Sequence, residues 1–178
     1  KKRKIILTDT GNFPSDLYVA EGLIDSLDND YKLRIVNPKD LISSITSEVG
    51  VVMLTQINYQ TGELYDLEEI SSVAHKNGCV IIWDLAHSAG AVPIELEKSR
   101  CEFAVGCTYK FLNGGPGAPA FIYVRPDLIK NFYPILRGWL GHKHPFDFDM
   151  HFKKSETIDS MRIGTPPVIQ MSILEKSL

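Results

Sequence analysis

Two residues in this sequence stand where side chains can do chemistry. Lys110 lies in Gly106-Cys107-Thr108-Tyr109-Lys110-Phe111-Leu112-Asn113-Gly114-Gly115-Pro116-Gly117, between an apolar run and a glycine-rich loop. A lysine amine among apolar groups loses proton affinity and can condense with a carbonyl. The glycines let backbone approach a ligand closely. An exposed lysine in a turn fits the same spacing. The Gly114-Gly115-Pro116-Gly117 run is not a dinucleotide fingerprint, because it precedes a strand and does not join strand to helix. Asp84 ends an apolar run in Trp83-Asp84-Leu85-Ala86-His87-Ser88-Ala89-Gly90. A carboxylate there must be paired, or its pKa rises. A pyridinium N–H is a suitable partner, because the carboxylate keeps the ring protonated and the ring then takes up carbanion electrons. An N-cap for a following helix, or a metal ligand together with His87, reads from the same residues.

Other candidates are weaker. Phe13-Pro14-Ser15-Asp16 opens a helical pattern, and Ser15 or Asp16 can be a plain cap or can sit beside a ligand. Thr55 ends a strand pattern, where a threonine is common, and its hydroxyl can also reach a ring substituent or phosphate. His142-Lys143-His144 with His151 invites a metal reading, but no carboxylate or cysteine completes a recognisable spacing. Trp139, between Gly138 and Gly141, fits a core, an interface, or an indole N–H given to an anion.

Short apolar runs alternate with helical patterns. Strands are predicted over 4–8, 32–36, 50–55, 79–83, 103–107 and 120–124. Helices are predicted over 14–27, 38–47 and 66–77, the last stopped at Gly78. Cys79-Val80-Ile81-Ile82-Trp83 is apolar throughout, as in a strand covered on both faces. The alternation predicts an α/β fold with a mainly parallel, doubly wound sheet and flanking helices. Ligands bind beyond the carboxyl ends of such strands. Thr55, Asp84 and Thr108-Tyr109-Lys110 should therefore meet along one edge. The stretch 132–161 has weak periodicity and is predicted to be a long surface excursion.

The bulk composition excludes several classes. The 178 residues suffice for one domain, and a formal net charge of −3 gives no reason to invoke nucleic acid or an anionic membrane. The only basic cluster, Lys1, Lys2, Arg3 and Lys4, reads as a solvated lead-in to a strand, with a nuclear signal as the sharper alternative. Three cysteines without a CxxC fit a reducing cytosol, and Cys101 and Cys107 read as buried thiols. No run of about 18 apolar residues suggests a membrane span. No signal peptide opens the chain. It begins without methionine, and 170–178 reads as a helix just begun, so a piece of a longer protein is expected.

Together these blocks resemble a family. Asp84 and Lys110 are similar to the aspartate and lysine of fold-type-I pyridoxal-phosphate enzymes. Asn12-Phe13-Pro14-Ser15-Asp16-Leu17-Tyr18, the Asp84 and Lys110 blocks, Gly138-Trp139-Leu140-Gly141-His142 and Arg162-Ile163-Gly164-Thr165-Pro166-Pro167 resemble the kynureninases, in the same order. Cysteine desulfurases and class V aminotransferases share the scaffold and are the second reading. A non-catalytic fragment of the fold is the third.

The kynureninase resemblance implies pyridoxal 5′-phosphate as cofactor, with Lys110 as the Schiff-base lysine and proton shuttle. It implies Asp84 on the pyridinium nitrogen, His87 near the phenolic oxygen and Phe13 stacked on the ring. Pro14, Ser15 and Asp16 lie beside that ring, and Thr55 also contacts the cofactor. Tyr109 reaches the phosphate and can donate a proton. Trp139 and Thr165 reach the phosphate across a homodimer interface, and His142 lies near the substrate. The implied reaction is hydrolysis of L-kynurenine, or its 3-hydroxy form, to an anthranilate and L-alanine, in tryptophan catabolism and NAD biosynthesis, in the cytoplasm. Family members are more than twice this length. Residues 1–178 then correspond to part of the large, cofactor-binding domain, without the phosphate-cradling helix before it and the small C-terminal domain after it, which carries the arginine for the substrate carboxylate.

Overall fold

The computed structural model describes residues 3–27 and 30–178. Lys1 and Lys2 of the basic cluster lie outside the described residues. Its other two members have structural partners. Arg3 donates to the carbonyls of Asn77 (2.6 Å) and Gly78, and Lys4 pairs with Asp30 at 2.6 Å.

Among the described residues, six strands form one sheet: β1 (Ile5–Asp9), β2 (Lys32–Val36), β3 (Val49–Thr55), β4 (Val80–Asp84), β5 (Phe103–Cys107) and β6 (Ala120–Val124). Their order is β2-β1-β3-β4-β5-β6. The first five are mutually parallel, and β6 returns antiparallel to β5. The predicted strands therefore hold to within a residue or so, as does the mainly parallel α/β architecture. The chain steps from β1 outward to β2, then crosses to β3 on the other side of β1. Such a reversal opens a crevice at the carboxyl ends of the strands.

Four α-helices among the described residues accompany the sheet: α1 (Pro14–Ser26), α2 (Leu41–Ser44), α3 (Leu67–Lys76) and α4 (Val168–Ser177). α3 is the best specified. Asp66 caps it by accepting the Glu69 N–H at 2.9 Å, and its apolar stripe buries Leu67, Ile70 and Ala74. The Trp83 indole donates to Ser71 Oγ at 3.1 Å, tying β4 to α3. Leu7, Val52, Leu54, Ile81 and Trp83 are fully buried in one core cluster with Ile70 and Ala74 of this helix.

Two expectations need correction. The helix predicted over 38–47 is a 3-10 turn (Pro38–Asp40) followed by α2, and it ends at Ser44. Ser43 and Ser44 both turn their hydroxyls back to the Asp40 carbonyl, at 2.9 and 2.7 Å, in the competition with helix hydrogen bonding that serines make. The apolar run of β4 is not covered equally on both faces. Ile81 and Trp83 are wholly buried, whereas Val80 is exposed and Ile82 half-buried, as strand alternation requires when one face is more open. The stretch 132–161 is an excursion as expected, yet it is ordered by three 3-10 turns and a β-bridge between His142 and Lys154.

Candidate active site

The carboxyl ends of β3, β4 and β5 lie side by side. Thr55 is in register with Asp84, and Asp84 with Val105. This places Asp84, the turn after it and the loop after β5 around one crevice, as the sequence predicts. A cavity of about 350 Å³ opens there, and Phe13, Ser15, Asp16, Asp84, His87, Tyr109 and Lys110 line it.

Each lining residue is held by local structure. Asp84 is buried, and its Oδ1 accepts the Ala86 N–H at 2.8 Å, which closes the turn leading to His87. No helix follows, so Asp84 is not a helix cap. Gly90 ends that turn with φ +87, and a Cβ there would stand 2.5 Å from the Phe111 carbonyl oxygen. Glycine thus permits the close approach that fixes the loop of Lys110. Lys110 Nζ lies 3.0 Å from His87 Nε2. It also lies 5.7 Å from the Phe13 ring centre and 5.5 Å from that of Tyr109, within cation–π range.

The β1–α1 turn supplies the other wall. Phe13, not Ser15 or Asp16, is the N-cap of α1, and it makes no side-chain cap bond. Asp16 sits in the first helical turn. With no capping duty, Ser15 and Asp16 face the cavity. Pro14 occupies the first helical position, where its fixed φ suits the helix, and does not line the cavity.

The electrostatics follow from crowding. Burial, then the Asp84 carboxylate, push the Asp16 pKa from 3.8 up to about 6, against the pull of Lys110. The His87 pKa is lowered by burial, then by Lys110, with Asp84 opposing. His87 is therefore neutral at neutral pH, and its Nδ1 is buried without a hydrogen-bond partner among the described residues.

The remaining predicted residues lie outside this cavity. Thr55 is buried, and its hydroxyl donates to the Ile57 carbonyl at 3.3 Å. The Trp139 indole donates to Thr165 Oγ1 at 3.3 Å, so these two meet each other and not Lys110. His142 is buried within its own loop. Its Nδ1 accepts the His144 N–H at 2.9 Å and its Nε2 lies 3.3 Å from the His151 carbonyl oxygen. No metal-binding group of His, Cys, Asp or Glu occurs among the described residues. Cys101 is buried as expected, whereas Cys107 is only half-buried, because it ends β5 at the cavity wall.

Sequence reasoning missed Tyr59 and Asp9. Tyr59 meets Phe13 edge-on at 5.0 Å and stacks on His87 at 6.2 Å. Asp9 is a carboxylate at the end of β1, 1% exposed. The strand-end rule that picked out Thr55 and Asp84 also covers Asp9. No local signal marks Tyr59.

The arrangement suits a planar, cationic heteroaromatic ring carrying an aldehyde. Phe13 and His87 offer ring faces, Asp84 offers a carboxylate, Lys110 offers the amine, and the volume is that of a small-cofactor pocket. Comparison with known proteins agrees. The profile of the class-V aminotransferase family matches residues 24–178. The kynureninase of Pseudomonas fluorescens is 44% identical over 99% of this chain, which spans 43% of that protein. The cysteine desulfurase of Thermococcus onnurineus NA1, solved in its apo form, superposes with a TM-score of 0.78 at 22% identity, over 99% of this chain and 45% of that one. A C-DES mutant with glycine covalently linked to its PLP cofactor superposes with a TM-score of 0.80 at 15% identity, over 99% of this chain and 48% of that one. The profile covers most of the length, and the chain belongs to the class-V aminotransferase family.

Proposed function

We propose that the protein to which this chain belongs is a kynureninase, a pyridoxal-phosphate enzyme that hydrolyses L-kynurenine, or its 3-hydroxy form, to an anthranilate and L-alanine. The observation that carries this reading is Lys110 Nζ, 3.0 Å from the neutral His87, in one cavity with Asp84 and Phe13. The 44% identity to a kynureninase supports the substrate class. Residues 1–178 are proposed to form part of the large domain. A phosphate-binding helix before them and a small domain after them would complete the site in a chain of the relatives' length.

Bound in this cavity, pyridoxal phosphate would supply an electron sink for negative charge on the amino acid and for cleavage of its Cβ–Cγ bond. Asp84 would accept the ring N–H and keep that nitrogen protonated. Phe13 would lie against one face of the ring and restrict its tilt. Lys110 Nζ would hold the aldehyde carbon and would carry protons at the substrate. His87, neutral and within hydrogen-bonding distance of Lys110, would orient that amine. Asp16 would be charged above pH 6 and, with Asp84, would favour cationic groups in the cavity. Tyr109 and Ser15 would offer hydroxyls to the phosphate and the ring substituents. Thr55 would act through Asp84, its neighbour in register.

Trp139 and Thr165 are proposed to reach the cavity of a second copy in a homodimer. Exposed Ile135, Leu136, Phe146, Phe148 and Met150 surround Trp139 in sequence and suit such a contact. No described helix is long and apolar enough to cross a membrane. The cytoplasm is the proposed compartment.

The desulfurase alternative is favoured by the fold relatives. A desulfurase needs an accessible, nucleophilic cysteine in a mobile loop, whereas burial raises the pKa of Cys79 and of Cys101, the latter to about 12, and Cys107 is held at the end of β5 with its thiol 3.8 Å from the Ala86 carbonyl oxygen. The test is a full-length protein given the cofactor and L-kynurenine, with and without Lys110→Ala. Release of anthranilate and alanine, lost in the variant, is expected. Sulfide formed from cysteine would replace this reading by a desulfurase. Amino transfer to a 2-oxo acid would mark an aminotransferase. No turnover of any of these would leave a binding domain.

A further inference from the structure

Asp9 is the one deeply buried carboxylate at the strand ends that the proposed chemistry does not use. It accepts the Tyr65 hydroxyl at 2.6 Å and the Gly11 N–H at 2.7 Å, both neutral donors. Tyr65 closes the connector between β3 and α3. This connector is stiff: Tyr65 N–H bonds the Gln56 carbonyl at 2.9 Å, and Ile57 and Leu64 form a β-bridge. Three contacts thus join the connector to the β1–α1 turn. At the base is the Asp9–Tyr65 bond. In the middle Gly11 lies so close that a Cβ would stand 2.7 Å from Asn58 Nδ2. Asn58 has little freedom to yield, because its Oδ1 accepts the N–H groups of Gln60 (2.8 Å) and Thr61 (3.1 Å). At the tip Tyr59 meets Phe13 edge-on at 5.0 Å and stacks on His87 at 6.2 Å.

We propose that Asp9 and Tyr65 are positioning residues: their hydrogen bond clamps the connector 56–66 to the turn 9–13, so that Tyr59 braces Phe13 and His87 against the cavity of Lys110. Burial, and next the Asp9 carboxylate, raise the Tyr65 pKa, which keeps the hydroxyl a donor at all physiological pH. The turn is pinned independently at its centre. Asn12 Nδ2 donates to Thr8 Oγ1 at 3.0 Å and its Oδ1 accepts the Phe13 N–H at 2.8 Å. Asn12 thus fixes the backbone of Phe13, and the clamp fixes where its ring can lie. The proposal rests on reading the Lys110 cavity as the pyridoxal-phosphate site.

The experiment uses the full-length protein with Tyr65→Phe and, separately, Tyr59→Ala. Tyr65→Phe removes one oxygen and leaves Asp9 with a single donor. Its readouts are the pyridoxal-phosphate Kd, the visible circular dichroism of the bound cofactor, and amide hydrogen exchange of residues 10–13 without cofactor. Loss of a buried hydrogen bond to a charged acceptor predicts roughly tenfold weaker cofactor binding, reduced visible dichroism and faster exchange at 10–13. Tyr59→Ala, at an exposed position, should weaken binding and dichroism with thermal stability unchanged. Wild-type Kd and dichroism in both variants would overturn the proposal. So would a lower melting temperature with those two signals unmoved, since the bond would then be purely structural. Failure of the functional reading is separate: wild-type protein would give no visible cofactor band that Lys110→Ala removes. Exchange at 10–13 in Tyr65→Phe still decides whether the clamp exists.

Discussion

Replacing Asp16 by asparagine should stabilise the protein at neutral pH while damaging the site. In the folded chain Asp16 ionises near pH 6 instead of 3.8, because burial and Asp84 disfavour its charge. A carboxyl whose folded pKa is raised binds more protons in the native than in the unfolded state between those two values, so stability falls as pH rises through that window. The gap corresponds to about 3 kcal/mol. Asp16 is only half-buried, and solvent screening reduces this to roughly 1–2 kcal/mol. The cost is absent well below pH 3.8 and complete above pH 6. Asp16→Asn removes the charge and hence the cost. Urea unfolding of both proteins without cofactor, from pH 4 to pH 8, is the assay. The variant should gain about 1–2 kcal/mol over wild type at pH 7.5, and the gain should shrink steadily toward pH 4. A gain that is independent of pH across this range would refute the reasoning, because the stabilisation would then not come from relieving a buried charge. In the full-length enzyme the same change should lower turnover, as expected where a site stores unfavourable charge.

Two further outcomes follow from the packing. Gly90→Ala places a Cβ 2.5 Å from the Phe111 carbonyl oxygen at a φ of +87, so it should displace the Lys110 loop and cost about 1–3 kcal/mol; denaturant midpoints and cofactor affinity should both fall. Glu102 is a shared acceptor for His75 (2.9 Å), Arg125 (3.2 Å) and the Ile81 N–H (3.2 Å), tying α3, β4 and the segment after β6. Glu102→Ala takes the acceptor from the Ile81 N–H and the His75 ring, while Arg125 keeps Asp127 (2.7 Å) and the Arg100 carbonyl (2.7 Å); it should cost about 1–3 kcal/mol in unfolding experiments, with the cofactor Kd of the protein that remains folded unchanged.

The strands were legible because their period and their apolar runs are local properties. The site was legible to the extent that it follows from strand ends. Asp84 and Lys110 are each carried by one strand and the loop after it, and parallel register brings them together without further information. Residues whose contacts depend on irregular backbone were not legible in the same way. Phe13 was found through its motif, but its role as N-cap reflects how the turn enters α1, not any capping propensity. Tyr59 sits in a polar connector with no periodicity, and only the folded path brings it against His87. The length of α2 was misjudged because serine hydroxyls that bond the backbone are invisible in an apolar pattern. The histidine cluster carried no metal spacing, and its actual use was not legible either: His142 has both ring nitrogens occupied within its own loop, which no spacing rule anticipates.

The charge distribution of the cavity explains why its parts come from distant segments. Asp16 and Asp84 repel, as the raised pKa of Asp16 records. A short local motif holding both carboxylates would relax by moving one of them into water. Here Asp84 is fixed by β4 and the Ala86 N–H, and Asp16 by α1, whose entry is pinned through Asn12. Asp84 cannot retreat without disturbing β4, and the backbone that carries Asp16 is fixed. The repulsion is then relieved by what enters the cavity: the Lys110 amine already lowers it, and a protonated heteroaromatic ring would lower it further. A rigid scaffold that keeps two like charges close makes affinity for a cation a property of the fold. On this argument the cationic form of a ligand is favoured before any specific hydrogen bond is made. Asp16→Asn should therefore weaken binding of a cationic ring more than that of a neutral ring of the same size.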